Sequence, residues 1–224
     1  MAGITAVTEQ LLCYRLLVPR PRTHDLEQLL DAAEALAVQS GAAAVTVRAL
    51  SESTAVSNGA IYHAFGSRAG LVGRVWLRAA QRFLTAQREA VEATLDSGRG
   101  RDIAVEAVVV AADAPARFAL VQPLSGRFLL TVDRSELLGD ADLPDDLADE
   151  LRDLDQALVD LFRTLAQAVW GRTDRQTVEV IRDCVVELPT ALLLRGRRTA
   201  DAAVRERLAA AVRAVLSLDP PGTN

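Results

Sequence analysis

Lysine is absent from this sequence, so all 25 of its basic side chains are arginines. Arginine is always charged and presents a planar fork of donors that suits phosphate. A GC-rich coding sequence gives the same bias without any functional demand, and that plainer explanation is preferred. Cysteine is scarce: Cys13 and Cys184 are too few for a disulfide framework. Cys184 lies in an apolar helical pattern, where a small buried side chain is expected. Aromatic residues make up only 4% of the chain, and the two histidines, His24 and His63, have no cysteine or carboxylate at metal-ligand spacing beside them. No metal site is expected. No run approaches the ~20 apolar residues that cross a bilayer. The N-terminal segment lacks the early positive charge and small-residue cleavage site of a secretory leader. These gaps predict a soluble cytoplasmic protein with no membrane contact.

Enzyme signatures are missing as well. There is no Gly-x-Ser-x-Gly elbow and no phosphate loop closing on Gly-Lys-Ser/Thr. Gly98-Arg99-Gly100 lacks the third glycine and preceding strand of a dinucleotide site. No catalytic residue and no cofactor is expected. The acids of 133–155 could hold a cation, but a charged loop and helix face explains them more simply.

Hydrophobic residues, by contrast, make up half of the 224 positions, with Ala and Leu dominant. Ala, Leu, Arg and Glu favour helix, and β-branched runs are short, so an all-α fold is expected. The length suits one large or two modest domains. The net charge of −5 argues against a surface coated in basic residues. Residues 1–95 carry 9 Arg against 8 acids, net +1; the rest carries 16 Arg against 22 acids, net −6. A local patch at the front could still meet nucleic acid.

Periodicity then divides the chain. Residues 1–22 fit poorly with the helical pattern beyond them and read as an N-terminal extension. Residues 1–17 are taken as surplus to a start at Val18; if genuine, Arg15, Arg20 and Arg22 could form a minor-groove arm. A first helix is expected over about 24–39, capped by Thr23 or Asp25 and stopped by Gly41. A second opens after Thr46, with Val47 and Leu50 inward. A turn at about Thr54–Val56 leads to a short helix from Ser57 to about Ala64. Ser67 caps a long helix reaching about Leu95, with Arg74, Arg78, Arg82 and Arg88 on a solvated face. Beyond the turn-forming Ser97–Gly100, a helix is expected over 102–112, then a separate piece from Pro115, a bend at Gln122-Pro123 and a short helix near 126–132. Residues 133–146 read as an acidic loop. The leucine stripe from Leu147 to Val169 predicts a helix over about 144–169. Further helices are expected over 174–195, kinked at Pro189, and 201–217.

The stretch from Thr46 to Leu71, TVRALSESTAVSNGAIYHAFGSRAGL, carries the most information. Ser57 at a helix start leaves backbone amides to meet a phosphate. Gly59 costs the helix up to ~1 kcal/mol but permits close approach to a groove, with Ala60 in the same turn. Asn58 suits a bidentate contact with adenine, and His63 projects from the same helix. The Tyr62 hydroxyl could reach a phosphate. Phe65 reads as core. Thr46 and Arg68 flank the helix as backbone clamps, which position rather than specify; Arg48 is as well suited to solvent as to DNA.

In Thr46, Val56, Ser57, Gly59, Ile61, Tyr62, Phe65 and Leu71 this stretch resembles the TetR family of transcriptional regulators. Arg68 stands where that family usually has Lys, Ala49 where an acid often sits, and Ala55 where the turn has glycine. A left-handed Ala55 would cost roughly 1 kcal/mol. The resemblance covers about 24–80. It implies a helix-turn-helix DNA-binding domain at 23–70 and a helical effector-binding and dimerisation domain at 71–219. It also implies a homodimeric repressor, paired through about 174–217, that leaves a pseudo-palindromic operator when a small hydrophobic effector binds. Candidate pocket residues are Phe118, Phe128, Phe162 and Trp170, each of which also suits plain core. Two alternatives stand beside this reading: an enzyme without DNA binding, and a helical protein-interaction module.

Overall fold

Leu29, Leu30, Ala33 and Ala37 fall at helical spacing and are all buried. They form the inner face of α1 (Thr23–Ser40). It is the first element of a computed structural model that describes residues 23–131, 143–194, 201–218 and 222. Expectations for residues 1–22, Cys13 among them, for most of the acidic 133–146 stretch and for the capping side chains of Thr23 and Asp25 lie outside what is described. Every regular element among the described residues is helical.

A short 3-10 turn, Ala42–Ala44, leads to α2 (Val47–Thr54). The Thr46 hydroxyl caps α2 by accepting from the Ala49 amide at 3.1 Å. Ala55 closes α2 in the left-handed region, φ 57° and ψ 16°, and is the one non-glycine residue with positive φ among those described. A Cβ in that region is sterically costly. Ala55→Gly is therefore expected to raise unfolding stability by roughly 0.5–1 kcal/mol, the steric gain being partly offset by chain entropy. Chemical denaturation checks this, and an unchanged or lower midpoint would count against strain at the turn.

Helix α3 (Asn58–Phe65) comes next, capped by Ser57, and α4 (Arg68–Asp96) is capped by Ser67. Val47, Leu50, Ile61, Phe65, Leu71, Val72 and Val75 close one core with the inner face of α1. Helix α5 runs unbroken from Arg101 to Val121 with Pro115 inside it, where the sequence predicts an end near 112. A proline here lacks the N–H that would bond the carbonyl four residues back. That carbonyl, Ala111 O, instead accepts from the buried Gln87 Nε2 of α4 at 2.8 Å. The side chain repairs the ladder, so the helix continues. The bend expected at Gln122 is present, and α6 (Pro123–Thr131) then folds back tightly. A Cβ on Gly126 would lie 2.7 Å from the Ala119 Cα. Phe128 of α6 inserts into the front core beside α1.

Helix α7 (Asp145–Trp170) buries Leu147, Leu151, Leu161, Leu165 and Val169 along its predicted stripe. Helix α8 (Arg175–Arg182) is capped by Asp174, which accepts from the Gln176 and Thr177 amides. Pro189 then shapes the next two turns. The chain widens into π-helical turns at Asp183–Glu187 and Thr190–Leu194 on either side of it, and the Leu188 amide bonds Asp183 O, five residues back. Helix α9 (Ala202–Leu216) lies along α5. Arg205 holds Asp113 through two bonds at 2.7 and 2.5 Å, and Arg101 donates to Leu216 O at 2.8 Å. These elements close the second, larger core.

Cys184 sits fully buried in that core. Burial, and secondarily the neighbouring Asp183 charge, push its thiol up to about 12. The reactive thiolate is therefore scarce at neutral pH. Peptide mapping after alkylation of the native protein at pH 8 should find Cys184 unmodified, and denatured protein should react. Native labelling at Cys184 would contradict this packing.

Candidate nucleic-acid interface

Helix α3 is short because Ser57 starts it and Gly66, at φ 70°, ends it by donating its amide to Tyr62 O. The Ser57 Oγ accepts from the Ala60 amide at 3.3 Å. The amides of Asn58 and Gly59, ahead of it in the first turn, have no intrahelical acceptor. Ile61 and Phe65 anchor the inner side of α3. The other side is open: Ser57, Asn58, Gly59 and His63 are exposed, and Tyr62 is 55% exposed. Ala60 is half-buried. Thus Ser57, Asn58, Gly59, Tyr62 and His63, among the residues expected to meet DNA, are open to solvent, and Ala60 is partly so.

Gly59 is the most telling of them. A Cβ there would meet nothing within 4 Å, and the position has no positive φ. Nothing in the surrounding fold requires glycine, although glycine weakens a helix. Thr46 is exposed at the start of α2; its oxygen accepts from the Ala49 amide and its hydroxyl keeps a hydrogen to donate.

The flanking arginines behave differently. Arg68 turns to its own chain, donating Nε to Val45 O at 2.9 Å and Nη2 to Ala42 O at 2.8 Å. It braces the connector between α1 and α2, where the sequence suggests a phosphate clamp. Arg48 is in solvent and pairs with Glu52 one turn on, at 2.9 Å.

Of the α4 arginines that the sequence places on a solvated face, Arg88 is exposed, whereas Arg74, Arg78 and Arg82 turn to carboxylates of other helices. Arg78 is buried and binds three α1 carboxylates: Glu27 at 2.8 Å, Asp31 at 2.8 Å and Glu34 at 2.9 Å. Arg82 stands 3.7 Å from Glu27. One turn before Arg78, Arg74 pairs with Asp146 and with Glu150 at 2.6 Å, both in the first turns of α7. Helix α4 is thereby tied to α1 on one side and to α7 on the other. Sequence reasoning misses these ties because the partners lie 44 to 76 residues away.

Next along α4, Trp76, Ala80, Phe83 and Gln87 face a largely apolar cavity of about 320 Å³. Phe118 of α5, Leu158 of α7 and Pro189 lie on its other walls. The Phe118 ring meets Phe83 edge-on, with centroids 5.5 Å apart. The other pocket candidates lie elsewhere. Phe128 belongs to the front core, Phe162 is buried in the rear core and Trp170 packs half-buried against it. Gln87 and Pro189 carry no sequence signal of a pocket; only the carbonyl that Pro115 must leave unpaired hints at a polar partner. Among the described residues, no group of three or more His, Cys, Asp or Glu could hold a metal ion, and no helix is long and apolar enough to cross a membrane.

Residues 29–75 match the family model for bacterial regulatory proteins of the tetR family. No curated protein matches the chain. Among solved structures, the TetR family transcriptional regulator PfmR from Thermus thermophilus is similar at 20% identity and TM-score 0.59, over 85% of this chain and 97% of that one. A bacterial regulatory protein in the tetR family from Rhodococcus RHA1 is similar at 17% identity and TM-score 0.60, over 86% and 95%. At such identities the likeness over the full length is one of fold.

Proposed function

We propose that this chain, which carries a tetR-family helix-turn-helix at its front and a TetR-like fold throughout, is a homodimeric repressor that a small hydrophobic effector releases from DNA. In this reading residues 23–70 form the DNA-binding unit and 71–219 the effector and dimerisation unit, acting in the cytoplasm. The observation that carries it is the outward face of α3, where Gly59 weakens the helix and serves no neighbour in the chain. Asn58 and His63 would read base edges, and Tyr62 and Thr46 would fix the backbone. Ala60 would lie against the groove wall. Arg48 could reach a phosphate only by leaving Glu52, and Arg68 would act by holding the α1–α2 connector in place.

A pair related by two-fold symmetry would offer two such helices to successive turns of a pseudo-palindromic site. The surface proposed for pairing spans about 174–217. Its support is narrower than the sequence suggests, since Cys184 and Leu193 are already buried by their own chain. Val180, Leu188 and Leu192 remain half-buried there. The cavity beside α4 would hold the effector. A ligand that favoured a different α4 position by a few kcal/mol would empty the operator, and Arg78 would carry that change to α1.

Selection of duplex fragments by the full-length protein tests this reading. An enriched two-fold motif with salt-dependent affinity is expected; recovery of no motif would sink it. On the selected site, Tyr62→Phe should weaken binding to every sequence alike, by roughly threefold to tenfold for one phosphate bond. Asn58→Ala should relax preference at one or two positions. Unchanged affinity for the first and an unchanged consensus for the second would remove those two contacts.

A further inference from the structure

We infer that the cavity beside α4 recognises an apolar ligand through a hydrogen-bond donor placed against Gln87 Oε1, and that it selects against anionic ligands. The inference rests on the effector-pocket reading and specifies the chemistry of that pocket. Gln87 is 2% exposed and lines the cavity. The two ends of a glutamine amide ordinarily have to be assigned from their neighbours, and here the neighbour settles the matter. Pro115 leaves Ala111 O without its helical donor. A carbonyl can only accept, so the Gln87 NH2 group must face it, as it does at 2.8 Å.

The other end of the amide is thereby committed. Gln87 Oε1 is buried and has no hydrogen-bond partner. A buried acceptor without a donor is unfavourable, and pairing it removes that penalty. Rotation cannot relieve it, because turning the amide over would set Oε1 against Ala111 O. A ligand O–H or N–H can relieve it, with the hydrocarbon remainder among Trp76, Phe83, Phe118 and Leu158.

Charge points the same way. Among the described lining residues there is no arginine or histidine, and the charged side chain present is the carboxylate of Asp155, which is exposed. An ionised carboxylate would bring a negative charge to a buried oxygen and an acid, with nothing to offset its desolvation. An alcohol satisfies Gln87 without bringing a charge into the cavity. The volume of about 320 Å³ lies at the small end for ligand sites, so a compact molecule fits.

Two molecules with one hydrocarbon skeleton separate these possibilities: phenylbutanol and phenylbutyrate. Their affinities for the full-length protein follow from ligand-dependent shifts in melting temperature at neutral pH. The alcohol is expected to bind at least roughly tenfold more tightly than the carboxylate. Gln87→Leu should abolish the advantage of the alcohol. Gln87→Lys, which keeps a donor for Ala111 O and replaces the acceptor with a cation, should invert the order in favour of phenylbutyrate; it also covers the case in which the leucine variant does not fold. Phenylbutyrate binding the parent as tightly as the alcohol would overturn the donor assignment and leave the cavity as a ligand site. No binding by either would overturn both.

Discussion

Replacing Gly59 with leucine is expected to move fold stability and DNA affinity in opposite directions. The position lies in the first turn of α3, and a Cβ there meets nothing within 4 Å. Leucine is the better helix former by up to ~1 kcal/mol, so the melting temperature should hold or rise slightly. The same side chain would stand between α3 and anything that approaches its outer face. Affinity for the selected duplex should fall roughly a hundredfold, about 3 kcal/mol. Few substitutions separate the two quantities so cleanly, because loss of binding cannot then be ascribed to loss of fold. Binding at parental strength by the leucine variant would remove α3 from the interface, and with it the central support for a regulator.

The second large effect concerns Arg78. Glu34 is 1% exposed; it pairs with Arg78 through Oε2, and its Oε1 has no partner. Arg78→Ala would leave that carboxylate buried and uncompensated, which typically costs about 3–5 kcal/mol. Glu27 and Asp31 are more exposed and can turn to water, so most of the loss is assigned to Glu34. For a chain of this length the melting temperature should drop by roughly 10 °C. Adding Glu34→Leu to Arg78→Ala should recover much of the loss, since the stranded charge is then gone. A drop of less than ~1 kcal/mol for the single variant, or no recovery in the double, would mean that the cluster does not tie α4 to α1.

Local signals in the chain are legible because they act over a few residues. Thr46, Ser57 and Ser67 each sit at a helix start with a short polar side chain, and each caps the helix it precedes. The leucine spacing of α7 identifies its buried stripe without reference to any neighbour. Pro115 misleads for an equally physical reason. Propensity puts a helix end before an internal proline, and only the distant Gln87 makes continuation possible. Arg74 and Arg78 read as solvated since arginine is mostly exposed; their carboxylates come from α7 and α1, which no local pattern connects to α4. The outward face of α3 is readable residue by residue, whereas the brace formed by Arg68 depends on carbonyls 23 and 26 residues away. The cavity is the least readable feature. An aromatic residue gives the same signal whether it fills a core, as Phe128 and Phe162 do, or borders a void, as Phe118 does.

Gly70 bears on how motion would pass through the molecule. A methyl group at that position would fall on the carbonyl oxygen of Phe65, the last residue of α3, and would touch Pro144 at the head of α7. The start of α4 thus approaches the end of α3 closely at this residue. In the proposed function, a tilt imposed on α4 would be felt at this contact. Enlarging Gly70 should force the two helix ends apart and lower the melting temperature.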